Sequence, residues 1–153
     1  DAVLEHPLLG DIHIGLNDLH LSYGLTFMFE PLTNGMVEAL CKKCKAKGVR
    51  YGIGGIAKLS KGLVPSECII MEHYRLGSTG AILSRTFCNA EEIGDINAVK
   101  ELFCEQMKLV RDFEETLPGR SEEDYTRNQK AVACYVAEAV LQIEAKRQAL
   151  VGK

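Results

Sequence analysis

The chain has 153 residues, 46% apolar and 25% charged, with 14 Gly, 6 Cys and no Trp. This composition fits an ordinary folded domain and excludes disorder, fibrous structure and a small disulfide scaffold. A net charge of -3 without a basic stripe argues against a nucleic-acid partner, and no apolar run reaches the ~18 residues needed to span a membrane.

In chain order, Ile12-His13-Ile14-Gly15 reads as a short strand followed by a turn at Leu16-Asn17-Asp18. A helix is predicted over 34–47, with Thr33 or Asn34 as its cap and Gly48 as its stop. Val49 to Ile53 is a second strand. A helix over 66–76 follows, with Ser66 as cap after Pro65 and Gly77 as stop, and Gly80 to Ser84 is a third strand. That alternation implies βαβ units and a parallel sheet. Most of the glycines lie in this first part, and the tail changes character. Val99, Leu102, Phe103, Met107, Val110, Phe113 and Leu117 form one stripe at helical spacing, ended by Pro118-Gly119. Ser121 and Asp124 resemble a capping box with a shortened acid. A second stripe joins Val132, Tyr135, Val136, Ala139, Val140 and Ile143. The expected division is therefore 1–94 and a helical tail, 95–153.

The densest chemical signal is Gly10 to Leu21. A strand that runs into Gly15 and then Asn17-Asp18 leaves bare amides and a carboxylate at its carboxyl end, where parallel α/β folds bind ligands. Asp18 there is a candidate ligand for Mg²⁺ or Mn²⁺, which prefer oxygen. The competing reading is a turn that caps its own backbone. His13 shares a strand face with Gly15 and is read as a core histidine before a ligand-contacting one. His20 has a structural or metal-supporting role as its alternatives to catalysis. Arg85, after the third strand, suits a bidentate clamp on carboxylate or phosphate, against a surface ion pair. Gly52 to Ala57 fits G-x-G-x-x-A with Glu72 twenty residues on, but no helix opens directly after it, so a nicotinamide site is disfavoured. Cys41 and Cys44 share an apolar helix face with Met36, Val37 and Leu40, which makes them core thiols and not a zinc or redox pair.

Val3 to Gly24 resembles the sixth strand of the HpcH/HpaI aldolase and citrate lyase family. The resemblance rests on Leu9-Gly10-Asp11, the apolar Ile12 to Ile14, Gly15-x-x-Asp18-Leu19, Ser22 and Gly24. Leu16 stands where Pro is usual, and His20 where a small residue is usual. Tyr51 to Gly55 and Gly80 to Phe87 resemble strands seven and eight of a divergent branch associated with polysaccharide biosynthesis. The resemblance covers about residues 1–90. It implies an α/β chain forming the C-terminal portion, about strands 6–8, of a (β/α)₈ TIM barrel, followed by the helical tail. It further implies metal-dependent cleavage or formation of a carbon–carbon bond in a 2-oxo acid, through a pyruvate enolate, or in an acyl-CoA. Asp18 matches the family's second metal ligand for Mg²⁺ or Mn²⁺, and the amides of Gly15 and Asn17 match its grip on the substrate carboxylate. The first metal ligand, a carboxylate-binding Arg and a base-positioning His would lie upstream. The chain starts at Asp1, not Met, and is expected to be a part of a longer enzyme that is inactive alone. The alternative is a non-catalytic relative acting as a binding or regulatory subunit. A homo-oligomer joined through the C-terminal helices and a cytoplasmic location complete the expectations.

Overall fold

The computed structural model describes residues 2–151. A 3-10 turn at Ala2–Glu5 leads into β1 (Asp11–Ile14), then α1 (Leu16–Ser22), α2 (Glu30–Thr33) and α3 (Met36–Ala46). Next come β2 (Arg50–Ile56), α4 (Ser66–Leu76), β3 (Gly80–Leu83), α5 (Ala90–Ile93), α6 (Ile96–Glu114) and α7 (Glu122–Val151). The three strands form one parallel sheet in the order β1-β2-β3. Asp11 pairs with Arg50 across the first ladder, and their side chains repeat the pairing as a two-pronged contact at 2.9 and 3.1 Å. Both are largely exposed, so this contact marks the register and adds little stability.

This architecture corrects the barrel expectation. The described residues hold a three-stranded sheet, with β1 and β3 as its edges, and are 60% helical. The molecule is a small α/β domain and not strands 6–8 of a TIM barrel. Three strands cannot bend round to meet, since closure requires matched tilt and shear over more strands. The sequence instead covers one sheet face with helices and leaves the other bare. Ile14, Tyr51 and Ile53 are buried on the helical side, while His13 and Ile82 are exposed on the other. A single apolar cluster joins these strand residues to Val37 and Cys41 of α3, Ile69 and Ile70 of α4, Val110 of α6, and Val132 and Val136 of α7.

Local chemistry explains the helix limits. Gly77 takes a left-handed φ of +71° and ends α4, while its amide and that of Ser78 bond back to the last turn. At the start of α4 the cap position is Pro65, and Ser66 is the first helical residue, buried and without a capping bond. At α3 the cap position falls to Gly35 in a left-handed conformation, yet Asn34 Oδ1 still accepts from Met36 N at 3.1 Å. The shortened capping box at α7 forms in both directions: Ser121 N and Oγ donate to Asp124 Oδ2 at 3.0 and 2.9 Å, and Asp124 N donates to Ser121 Oγ at 3.2 Å. Tyr135 departs from the expected stripe. It is 37% exposed, and the buried line of α7 runs through Val132, Val136 and Ala139.

Candidate functional site

The predicted turn at Leu16-Asn17-Asp18 is instead the first turn of α1, and Gly15 is its cap residue. Burial decides the conformation. Leu16 and His20 lie one helical turn apart and are both buried, so a helix puts them on one face where a turn would not. Asn17 and Asp18 project from the exposed side. Gly15 has an ordinary φ of -73°, so backbone freedom does not require glycine there. Space does. Asp18 Oδ2 lies 3.0 Å from the point that a Cβ on Gly15 would occupy.

Gly15, Asp18 and His13 line a depression of about 530 Å³ together with Ile12, Leu40 and Lys43. His13 is exposed against the bare backbone of Gly52, with Nδ1 2.8 Å from a Cβ placed there. It is not the core histidine. His20 is buried instead, and its Nδ1 has no hydrogen-bond partner.

The Asp18 carboxylate makes no ion pair or hydrogen bond among the described residues. A divalent cation needs several oxygen ligands, and among the described residues no three His, Cys, Asp or Glu side chains gather to hold one. Asp18 would thus be one ligand of such a cation, with the others drawn from carbonyl or water oxygens or from outside the described residues. A substrate carboxylate at the Gly15 and Asn17 amides would lie close to the like charge of Asp18, so it would need a cation between the two.

Arg85 lies elsewhere. It lines a cleft of about 340 Å³ with Gly55, Ala57, Ser84 and Thr86 at the carboxyl ends of β2 and β3, a cleft that Asp18 does not line. The expected ion pair is absent: no carboxylate among the described residues pairs with Arg85. All three strands end at the same edge of the sheet, so the two candidate groups share an edge without sharing a cavity.

The glycine-rich run is accounted for by packing. β2 continues to Ile56, so Gly52, Gly54 and Gly55 lie inside the strand and open no helix. A Cβ on Gly52 would meet Gly80 O at 2.9 Å, and one on Gly55 would meet Ile82 O at 3.3 Å. Glu72 is buried, bonded to Arg75 at 2.8 Å and accepting from Asn128 of α7 at 3.0 Å. It is a structural anion and not a ribose ligand. Cys41 and Cys44 are buried free thiols. Burial, and then the neighbouring Cys44, push Cys41 up to about 11, which removes thiolate reactivity near neutral pH.

A third cleft, of about 430 Å³, has no counterpart in the sequence reading. His73 and Tyr74 of α4, Thr79 to Ala81 and Arg111 and Glu114 of α6 line it. His73 Nδ1 lies 3.2 Å from Ser78 Oγ, which itself donates to Gly80 O, so Nδ1 carries the proton and Nε2 is left a bare acceptor without a partner. Burial, with His13 as a smaller cause, holds His73 down to about 4. The sequence signal was its position three residues after Ile70 and three before Leu76 on the buried face of α4.

Comparison with protein-family models, with curated proteins and with solved structures finds no match to the chain. No helix among the described residues is long and apolar enough to cross a membrane.

Proposed function

We propose that the chain supplies one edge of the substrate site of a carbon–carbon lyase or aldolase acting on a 2-oxo acid or an acyl-CoA. The observation that supports it is the common carboxyl edge of three parallel strands. That edge collects Gly15 to Asp18 after β1, Ala57 after β2 and Ser84 to Thr86 after β3, and ligands of parallel α/β sheets bind at such an edge. The chemistry comes from the resemblance of residues 9–24. In this reading the amides of Gly15 and Asn17 hold the substrate carboxylate, and Asp18 offers one oxygen to Mg²⁺ or Mn²⁺. Further ligands for that cation come from outside the described residues. When bound, such a cation supplies Lewis-acid stabilisation of a developing enolate. The missing Cβ of Gly15 lets the Asp18 carboxylate fold back over the strand end.

A second reading, a non-catalytic binding subunit, is favoured because no three His, Cys, Asp or Glu side chains gather among the described residues. Pyruvate distinguishes the two. In D₂O with Mn²⁺, exchange of its methyl protons that is lost in Asp18→Asn supports the lyase. Binding at the Gly15 and Asn17 amides without exchange supports the binding subunit, and no binding at millimolar pyruvate overturns both.

Self-association through the tail belongs to the same proposal, since Leu109 and Leu141 are exposed on α6 and α7. A monomer in sedimentation equilibrium at 100 μM protein would remove it. The free cysteines suit the cytoplasm, where thiols stay reduced.

A further inference from the structure

The Arg85 cleft is built unlike a site for a small, fully polar acid. Its floor is Ile56, Val64 and Ile69, all buried, and Phe27 and Phe29 stand at its side in an edge-to-face pair with centroids 5.4 Å apart. Polar groups gather at two places only. Arg85 lies exposed at the mouth without a carboxylate partner, beside the Ser84 and Thr86 hydroxyls, which bond to each other at 2.7 Å. Ser66, 3% exposed, lines the cleft from the start of α4, and its hydroxyl makes no hydrogen bond. The adjacent Glu67 is already occupied, receiving Ser60 N at 2.9 and 3.0 Å and Ser60 Oγ at 2.8 Å.

We propose that this cleft binds an amphipathic carboxylic acid, with the carboxylate on Arg85 and a branched or aromatic body against the Ile56, Ile69 and Phe29 wall. It goes beyond the proposed function, which seats the substrate carboxylate on the Gly15 and Asn17 amides, and gives the separate Arg85 cleft an acid of its own. Charge complementarity selects an anion, because the guanidinium offers paired donors to a carboxylate and has no internal counter-ion. The wall selects the body. With five buried or aromatic side chains lining a cleft of about 340 Å³, a single methyl group such as that of pyruvate would leave most of the apolar wall wet. Each additional buried methylene strengthens binding about fourfold.

The test uses the full chain and three probes: 4-methyl-2-oxopentanoate, pyruvate, and the neutral 4-methyl-2-pentanone. Calorimetry and methyl NMR are expected to show the branched acid binding at least tenfold tighter than pyruvate, with shifts at the Ile56 and Ile69 methyls. Arg85→Gln is expected to weaken the branched acid tenfold or more and to leave the ketone unchanged. Equal affinity for both acids, indifference to Arg85→Gln, or no binding of the branched acid overturns the proposal. Shifts confined to Gly15 and Asp18 overturn it while leaving the lyase reading standing. Arg85-dependent binding of the branched acid, with no methyl-proton exchange in pyruvate, keeps the cleft and removes the lyase.

Discussion

Leu16 Cδ1 lies 2.5 Å from the point that a Cβ on Gly54 would occupy. The side chain of the first α1 residue thus fills the space that a missing side chain in β2 leaves, and Leu16 is only 1% exposed. Leu16 is one of the two residues that depart from the aldolase pattern, and the structure gives it a packing role.

Gly54→Ala is therefore expected to destabilise the fold by about 2–3 kcal/mol, from overpacking and from a positive φ of +26°. Leu16→Ala alone is expected to cost about 2–5 kcal/mol as a cavity. The double variant should be more stable than the sum of the two losses predicts, because each change relieves the other. Urea unfolding of the four proteins measures the coupling, and strict additivity would show that the two residues do not share this space.

Glu72 and Arg75 form a buried pair that also engages Glu38 at 3.3 Å and Asn128. Glu72→Ala is expected to cost about 3 kcal/mol, since it leaves a mostly buried guanidinium with only the longer Glu38 contact and frees the Asn128 amide. A fluorescence titration of the native protein with NADH should stay flat. Saturable NADH binding lost in Glu72→Ala, with the fold intact, would restore the nucleotide reading.

His73 gives stability a pH dependence. Its folded value near 4 lies below the ordinary 6.5, so the unfolded chain binds the proton more tightly. The favourable contribution is present above pH 6.5 and is lost as pH falls toward 4, amounting to up to about 3 kcal/mol. His73→Phe is expected to flatten the stability profile in that window. An unchanged slope between pH 6.5 and 4 would place the dependence on other groups.

Cys104 and Cys134 are exposed, whereas Cys41 and Cys44 are buried. A disulfide reagent at pH 8 is expected to modify the two exposed thiols quickly and the α3 pair only after unfolding. Mass mapping of the labelled peptides checks this, and rapid labelling of Cys41 in the native protein would contradict its burial.

Much of the scaffold was legible because periodicity and punctuation agreed. Ser66 to Leu76 emerges from apolar spacing with Pro65 before it and Gly77 after it, and α6 and α7 emerge from their stripes. Other parts depended on contacts distant in sequence. Asn17-Asp18 carries turn chemistry, and only the burial of Leu16 and His20 turns it into helix. The glycines of β2 weaken strand propensity, and only close neighbours such as Gly80 and Leu16 justify them. The short α2 and α5 have too few residues to show a period. The barrel was implied by a local motif at 9–24, which carries no information about how many strands follow. Asp18 was likewise visible in the motif, but its place in a depression with His13 and its separation from the Arg85 cleft are three-dimensional facts.

The bond from Asn128 to Glu72 and to the Cys68 carbonyl spans 56 and 60 residues. On the ribosome, the sheet and α4 emerge well before α7 does, so the apolar side of α4 and its anion wait uncovered while another fifty or so residues are made. The nascent chain passes through a stage that is soft at α4, where a chaperone or protease would act. Release of a chain stopped after residue 94 is expected to give rapid degradation, and α7 is then the clasp that ends the vulnerable interval.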